Sequence, residues 1–214
     1  MTSVRSSGAG PPVVGLLLAG GVSRRLGGGA QCLRPLAGRT ILDRIVERVR
    51  PQVARLVLNA NGDPARFAAY DLPVVADSVE GFAGPLAGVL AGLDWAAANA
   101  PDCPWVASVP TDAPFLPADL VARLRAATEE GADMACAASA GQSHPVVGLW
   151  PVRLREDLRH ALTIEQIHKV DVWTARYRLA SVDFPIAGTD PFFNTNRPED
   201  LAEAERLLVE RRTG

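Results

Sequence analysis

The chain has few cysteines, few histidines, no marked excess of charge and no long apolar run. Each shortage excludes something. Cys32, Cys103 and Cys136 are odd in number and far apart, with no C-x-x-C pair. That excludes a disulfide frame and a zinc site and points to reduced thiols in a cytosol. His144, His160 and His168 form no metal-ligand pattern either. The net charge is −2 and the charges are mixed along the chain, so no basic face offers itself to nucleic acid or an anionic membrane. The longest apolar run, around Val13 to Ala19, has a strand's length and not that of a bilayer span. A secretory signal needs a longer apolar stretch and a cleavage site. Arg24-Arg25 follows the apolar run, the wrong order for a twin-arginine signal. The sequence therefore predicts a soluble, cytoplasmic protein.

What is present suits one α/β domain. A chain of 214 residues, 48% hydrophobic, can bury a full-sized core. We expect that domain over residues 13–214, behind a Ser/Gly/Pro-rich tail, residues 1–12, expected to be disordered. The most informative segment follows the first apolar run: Leu18-Ala19-Gly20-Gly21-Val22-Ser23-Arg24-Arg25-Leu26-Gly27-Gly28-Gly29. Glycines let a backbone bend through positive φ and approach a ligand, and consecutive N–H groups in such a loop form an anion-binding concavity. Two arginines add donors suited to phosphate. The loop lacks the Lys-Ser/Thr pair of a Walker A motif and the spacing of a dinucleotide-binding fingerprint. Its alternative reading is a Gly-rich surface turn.

Strands and helices alternate after the loop. Helices are predicted from about Thr40 to Arg50, with Thr40 as N-cap and Pro51 as stop, near Pro64 to Tyr70, after Gly84-Pro85, and from Pro117 to about Thr128. Strands are predicted at Leu56–Leu58, Val74-Val75 and Trp105–Val109. The second half reads as strands at Met134–Ala138 and Pro145–Leu149 and helices at Leu154–Leu162 and Ile164–Trp173. A strand at Leu179–Phe184 and a helix from Pro198 to Arg211 close it. Alternation of this kind predicts a three-layer α/β/α fold, Rossmann-like, with a mainly parallel sheet. Ligands of such sheets sit beyond the carboxyl ends of the strands, where Gly20, Asn59, Asp77 and Asp112 are predicted to lie.

Asp112, in Val-Pro-Thr-Asp-Ala-Pro, is the best metal candidate, because Mg²⁺ prefers oxygen ligands shared with phosphate. The alternative is an Asx turn; a helix N-cap is excluded by distance from the helix at Pro117. Asp77 reads as a nucleotide contact or a turn residue. Asn59 carries an amide that both donates and accepts, suited to a base or ribose, or it simply ends a strand. Gly81 to Gly88 lets a helix N-terminus approach an anion, or lets a helix pack closely on the sheet. His144-Pro145, Lys169, Arg176 and Asn194 to Asp200 read as acceptor-side elements or as ordinary surface and turn residues.

Taken in order, these segments resemble the molybdenum cofactor guanylyltransferase family, from Val14 to about Glu205. The resemblance rests on Leu18-Ala19-Gly20-Gly21, Pro51-Gln52-Val53, Asn59-Ala60-Asn61, Asp77, Gly84-Pro85-Leu86-Ala87-Gly88 and Pro110-Thr111-Asp112-Ala113-Pro114. It continues through His144-Pro145, Lys169-Val170, Val182-Asp183-Phe184 and Asn194-Thr195-Asn196-Arg197-Pro198-Glu199-Asp200. It implies transfer of GMP from GTP to the terminal phosphate of molybdenum-molybdopterin, with release of pyrophosphate. It also implies GTP contacts from Leu18, Ala19, Gly20, Gly21, Gln31, Asn59, Asp77 and Asp112, catalytic roles for Arg24, Arg25 and Asp112, and Mg²⁺ on Asp112. Acceptor contacts are implied for His144, Lys169, Asn194 and Asn196, and molybdoenzyme chaperones are candidate recipients of the product. The attacking phosphate is largely ionised at neutral pH, since a monoester's second pKa is about 6. No general base is then required, which agrees with the absence of a Ser-His-Asp or Cys-His arrangement.

One departure stands out. Where the family loop ends in Gly-x-Asp-Lys, this chain has Gly28-Gly29-Ala30-Gln31. A neutral amide donates a hydrogen bond but does not offset phosphate charge, and loss of one such donor costs on the order of 10²–10³ in rate. Arg24, Arg25 or Arg34 are the candidates to replace that charge. Two alternatives follow: another nucleotidyltransferase, such as a cytidylyltransferase, and a GTP- and molybdopterin-binding homologue with weakened catalysis.

Overall fold

A computed structural model describes residues 10–19, 31–79, 81 and 84–213. Gly20, Gly21, Arg24, Arg25 and Ala30 lie outside these residues, as does nearly all of the expected tail.

Strand β1, Val13–Leu18, is buried at all six positions because it lies inside the sheet and is covered on both faces. Val13 and Leu17 enter one core cluster, and Val14, Leu16 and Leu18 enter the other. This is the two-residue alternation of a strand read on two apolar faces. A short hairpin of β2, Pro35–Leu36, and β3, Arg39–Thr40, precedes helix α1, Ile41–Val49. Thr40 is the N-cap as expected. Its hydroxyl accepts from the Asp43 amide at 3.0 Å while the Asp43 carboxylate accepts from the Thr40 amide at 2.8 Å.

Strands β4, Arg55–Asn59, and β5, Val74–Val75, lie to one side of β1. Helix α2, Pro85–Asn99, then crosses the sheet to β6, Trp105–Pro110, on the other side of β1. Helix α3, Leu120–Glu129, leads to the hairpin of β7, Met134–Ser139, and β8, Gln142–Pro151. Helices α4, Arg155–Thr163, and α5, Val170–Thr174, strand β9, Leu179–Asp183, and helix α6, Pro198–Thr213, complete the order. The seven-stranded sheet runs β5-β4-β1-β6-β8-β7-β9, and only β8 is antiparallel to its neighbours. Helices α1, α3 and α6 cover one face and α2, α4 and α5 the other. The predicted three-layer, mainly parallel architecture is observed.

Three local expectations are corrected. Pro64–Tyr70 is a 3₁₀ helix, opened by the Asp63 carboxylate accepting from the Ala65 amide at 2.9 Å. Residues 164–169 are not helical, and helix forms only over Val170–Thr174. Gln166 adopts φ 58° just after α4, and the Ile167 amide turns back to the Ala161 carbonyl at 2.9 Å. Neither glycine nor proline marks that break in the sequence. Last, β8 begins at Gln142 because Ala140 and Gly141, at φ 48° and 75°, make the tight turn themselves. Gln142 to His144, which lie between the two predicted strands, are therefore strand.

Candidate active site at the carboxyl edge of the sheet

Four parallel strands end almost level. Leu18 pairs in register with Asn59 on one side and Pro110 on the other, and Asn59 pairs with Val75. The chain stays knitted one residue further. Ala19 donates its amide to the Asn59 carbonyl at 2.9 Å, Ala60 to Val75 at 2.9 Å, and Thr111 to Leu18 at 3.3 Å. Asn59, Asp77 and Asp112 are thus brought to one edge, as their places after predicted strands implied, together with Ala19; Gly20 lies outside the described residues.

Asn59 and Asp77 form a pair. The Asn59 side-chain amide donates to one Asp77 carboxylate oxygen at 3.0 Å and to the Val75 carbonyl at 3.2 Å. Asn61 donates to the second carboxylate oxygen at 2.7 Å and accepts from the Asp77 amide at 3.0 Å. Asn59 is only 2% exposed, and glycine at 88 makes room for it. A Cβ there would sit 2.4 Å from Asn59 Oδ1. Of the two readings of the Gly81 to Gly88 segment, close packing of helix on sheet is therefore realised at Gly88, and it serves Asn59.

Asp112 is held by its backbone. The Thr195 amide and hydroxyl both donate to the Asp112 carbonyl at 2.9 Å. Its carboxylate Oδ1 is buried with no hydrogen-bond partner. Burial pushes the Asp112 carboxyl up, opposed by hydrogen bonds from its own backbone amide and from the Asn196 side chain. Gln31 joins the same cluster, donating to the Thr195 carbonyl at 2.8 Å and to Asn196 Oδ1 at 3.3 Å. Beneath it lies Cys32, whose thiol is pushed up to about 11 by burial and so stays protonated and inert.

A cavity of about 260 Å³ adjoins Asp112 and is lined by Pro110, Ser143, His144, Phe192 and Asn194 among others. His144 and Asn194, both expected on the acceptor side, therefore share one wall with Asp112. Asn196 reaches the cluster through Gln31 and Asp112. Lys169, the single lysine of the chain, is exposed at the N-terminus of α5 and outside this lining. Its neighbour His168 places a carbonyl 3.7 Å from where a Gly84 Cβ would stand, so Lys169 flanks the start of α2. Arg176 is engaged by Glu165 through both guanidinium nitrogens. A larger cavity of about 370 Å³, walled by Ala96, Ala100, Trp105 and Pro151, opens at the opposite, amino edge of β6 and gathers few polar groups.

Three residues that sequence reasoning missed build this site: Ser139, Asp190 and Thr195. Thr195 lies within Asn194 to Asp200, where only its neighbours Asn194 and Asn196 carry an expected role. Thr189-Asp190-Pro191 repeats the Thr-Asp-turn chemistry of Thr111-Asp112-Ala113-Pro114, a signal that was available. Among the described residues no group of three or more His, Cys, Asp or Glu side chains is placed to hold a metal by itself.

The family of the MobA-like NTP transferase domain matches residues 15–178. The molybdenum cofactor guanylyltransferase of Bradyrhizobium sp. (strain ORS 278) is 63% identical over 198 residues, 92% of this chain and 93% of its own. That of Rhodopseudomonas palustris (strain BisB5) is 59% identical over 200 residues, 93% of this chain and 95% of its own. The chain belongs to the molybdenum cofactor guanylyltransferase family. It is accordingly a nucleotidyltransferase. The solved structure of molybdopterin-guanine dinucleotide biosynthesis protein A from Archaeoglobus fulgidus superposes with a TM-score of 0.71 at 20% identity, covering 92% of this chain and 99% of that one. At that identity the likeness shows the fold.

Proposed function

We propose that the chain transfers GMP from GTP to the terminal phosphate of molybdenum-molybdopterin, releasing pyrophosphate and forming molybdopterin guanine dinucleotide in the cytoplasm. The observation that carries this reading is the shared edge: the Asn59–Asp77 pair and Asp112 on four level strand ends, with the His144/Asn194 cavity beside Asp112. Asp77 accepts from two side-chain amides and keeps further lone pairs for the N–H donors of a guanine base. Asn59, locked between α2 and β5, fixes that carboxylate in place. Leu18 ends β1 and, with Ala19, leads into the Gly20-Gly21 segment with Arg24 and Arg25, whose N–H groups and guanidinium donors suit the phosphates. Gln31, which follows that segment in sequence, lies beside Asp112 through Thr195 and Asn196.

Asp112 suits Mg²⁺. A buried carboxylate oxygen without a partner is costly unless a cation or a proton meets it. A single carboxylate is also a sufficient protein share, because Mg²⁺ takes its other ligands from water and substrate phosphates. Bound there, it would offset charge on the transferred phosphoryl group. The chain's own residues then bind and orient. Thr195 fixes the Asp112 backbone, and the 194–196 segment ties the acceptor cavity to the nucleotide edge. In-line displacement asks for little more than this placement. No described helix is long and apolar enough to cross a membrane.

The test is pyrophosphate release with GTP, CTP and acceptor each omitted in turn. Release that needs GTP and acceptor together supports the reading, and release with CTP in place of GTP overturns the base assignment. A second reading rests on Ala30 and Gln31. Both amide protons of Gln31 are already directed to Thr195 and Asn196. A chain that binds GTP without releasing pyrophosphate would be a binding homologue with weakened catalysis.

A further inference from the structure

Ser139 is 1% exposed, and its hydroxyl lies between three acceptor or donor atoms. It is 2.7 Å from His144 Nε2 and within 3.0 and 3.1 Å of the two Asp190 carboxylate oxygens. A hydroxyl has one proton, and a carboxylate can only accept. Ser139 therefore donates to Asp190. Its oxygen is left to accept, and the atom facing it is His144 Nε2, which must carry the ring proton. In a neutral imidazole that makes Nδ1 an acceptor.

The surroundings support a neutral ring. Burial holds His144 below its usual range, and the Asp190 charge opposes this without reversing it. The ring is half-buried and lies against Phe192, with centroids 4.5 Å apart, which limits its rotation. The chain of contacts is anchored at both ends. Asp190 also accepts from the Phe192 amide at 2.9 Å. Ser139 and His144 are diagonal neighbours on one face of the β7–β8 hairpin, because the Ala140-Gly141 turn pairs Ser139 with Gln142 and Ala137 with His144.

We infer that Ser139 and Asp190 are positioning residues that lock His144 as the Nε2–H tautomer, so that Nδ1 serves as a hydrogen-bond acceptor in the cavity beside Asp112. The ligand group that recognises it is an N–H or O–H donor, such as an amine or ring N–H of a pterin. A phosphate or carboxylate oxygen, which can only accept, has nothing to give this atom. Assigning that donor to the acceptor substrate rests on the function proposed above; the tautomer itself does not.

The tautomer is read directly by long-range ¹H–¹⁵N correlation on protein labelled in histidine. With three histidines in the chain, His144 is assigned by the signal missing from His144→Gln. The expected result is a protonated Nε2 and an unprotonated Nδ1 in the unliganded protein at neutral pH. Ser139→Ala should turn this into a mixture of both tautomers. A wild-type ring protonated on Nδ1, or a spectrum unchanged by Ser139→Ala, overturns the lock. Molybdopterin should shift the Nδ1 resonance and GTP alone should not; the reverse pattern overturns the assignment of the donor. In turnover, Ser139→Ala should raise KM for molybdopterin about three- to tenfold, the worth of one hydrogen bond, and leave KM for GTP unchanged. Equal rises in both would mark Ser139 as merely structural. If no pyrophosphate is released by any variant while the tautomer is as expected, the proposed function fails and the lock stands.

Discussion

Gln31 donates its side-chain amide to the Thr195 carbonyl at 2.8 Å. The bond closes a gap of 164 positions in sequence and ties the end of the Gly/Arg loop to the segment that grips Asp112. A residue read from the sequence as a weak substitute for a phosphate-binding lysine is thus engaged with the segment expected to meet the acceptor. Its role can be tested by putting the charge back.

Gln31→Lys is expected to raise guanylyl transfer, by up to about the 10²-fold that one transition-state contact supplies. Ala30→Asp together with Gln31→Lys should gain more than the two single changes combined, as for residues that act as a unit. Initial pyrophosphate release from wild type, both single variants and the double variant decides. Unchanged, robust turnover in all four would show that another cation already fills the place.

Asp112→Asn should remove Mg²⁺-dependent turnover, by 10² or more, and leave the fold intact. Oδ1 makes no hydrogen bond to lose, and the structural grip of Thr195 is on the Asp112 backbone carbonyl. An amide keeps the shape without the charge that holds a hard cation. Rates measured across a Mg²⁺ titration, with a thermal melt as control, check this; wild-type turnover at limiting Mg²⁺ would exclude Asp112 as the ligand.

Gly88→Ala and Gly92→Ala form a matched pair on α2. The first puts a Cβ 2.4 Å from Asn59 Oδ1, the second 2.5 Å from Leu16 Cδ2. Both should destabilise by about 1–3 kcal/mol through overpacking. Only the first should raise KM for GTP, because only it displaces the Asn59–Asp77 pair. Equal KM effects would detach Asn59 from nucleotide binding.

Asp133 gives a prediction in pH. Hydrogen bonds from Arg178, with Arg153 adding a smaller share, hold its carboxyl down at about 2. A depressed folded-state value means stability present above the ordinary carboxylate value of about 3.9 and lost as pH falls towards 2. The gap in melting temperature between wild type and Asp133→Asn should therefore narrow over that interval. It should also shrink with added salt, since the pair is exposed. A gap that stays constant through the interval would show that the ion pair contributes nothing.

Much of the edge was legible in the sequence because parallel strands announce themselves. An apolar run followed by a polar or glycine residue marks where β1, β4, β5 and β6 stop, and that rule placed Asn59, Asp77 and Asp112 at one edge, with Gly20 outside the described residues. The second half of the chain was harder to read. Ala140 supplies a positive-φ turn that Asn or Gly would have signalled, so the start of β8 was placed late. Gln166 breaks the chain after α4 with no sequence mark, and exposed Ile164 then mimicked a helical face. Ser139 was invisible because no periodicity encodes its partners: His144 is brought to it by the Ala140-Gly141 turn and Asp190 by the chain after β9.

The reversal of β8 has a consequence for how such a chain can diversify. Six strands deliver their last residues to the working edge; β8 delivers its first. Ser143 to Val147 thus stand at the cavity wall, and from Val147 to Pro151 the strand runs buried through the core. Mutations in that entering segment alter one wall of the cavity without touching β1, β4 or β5. One hairpin can in this way drift towards a new partner molecule while the rest of the sheet keeps its nucleotide.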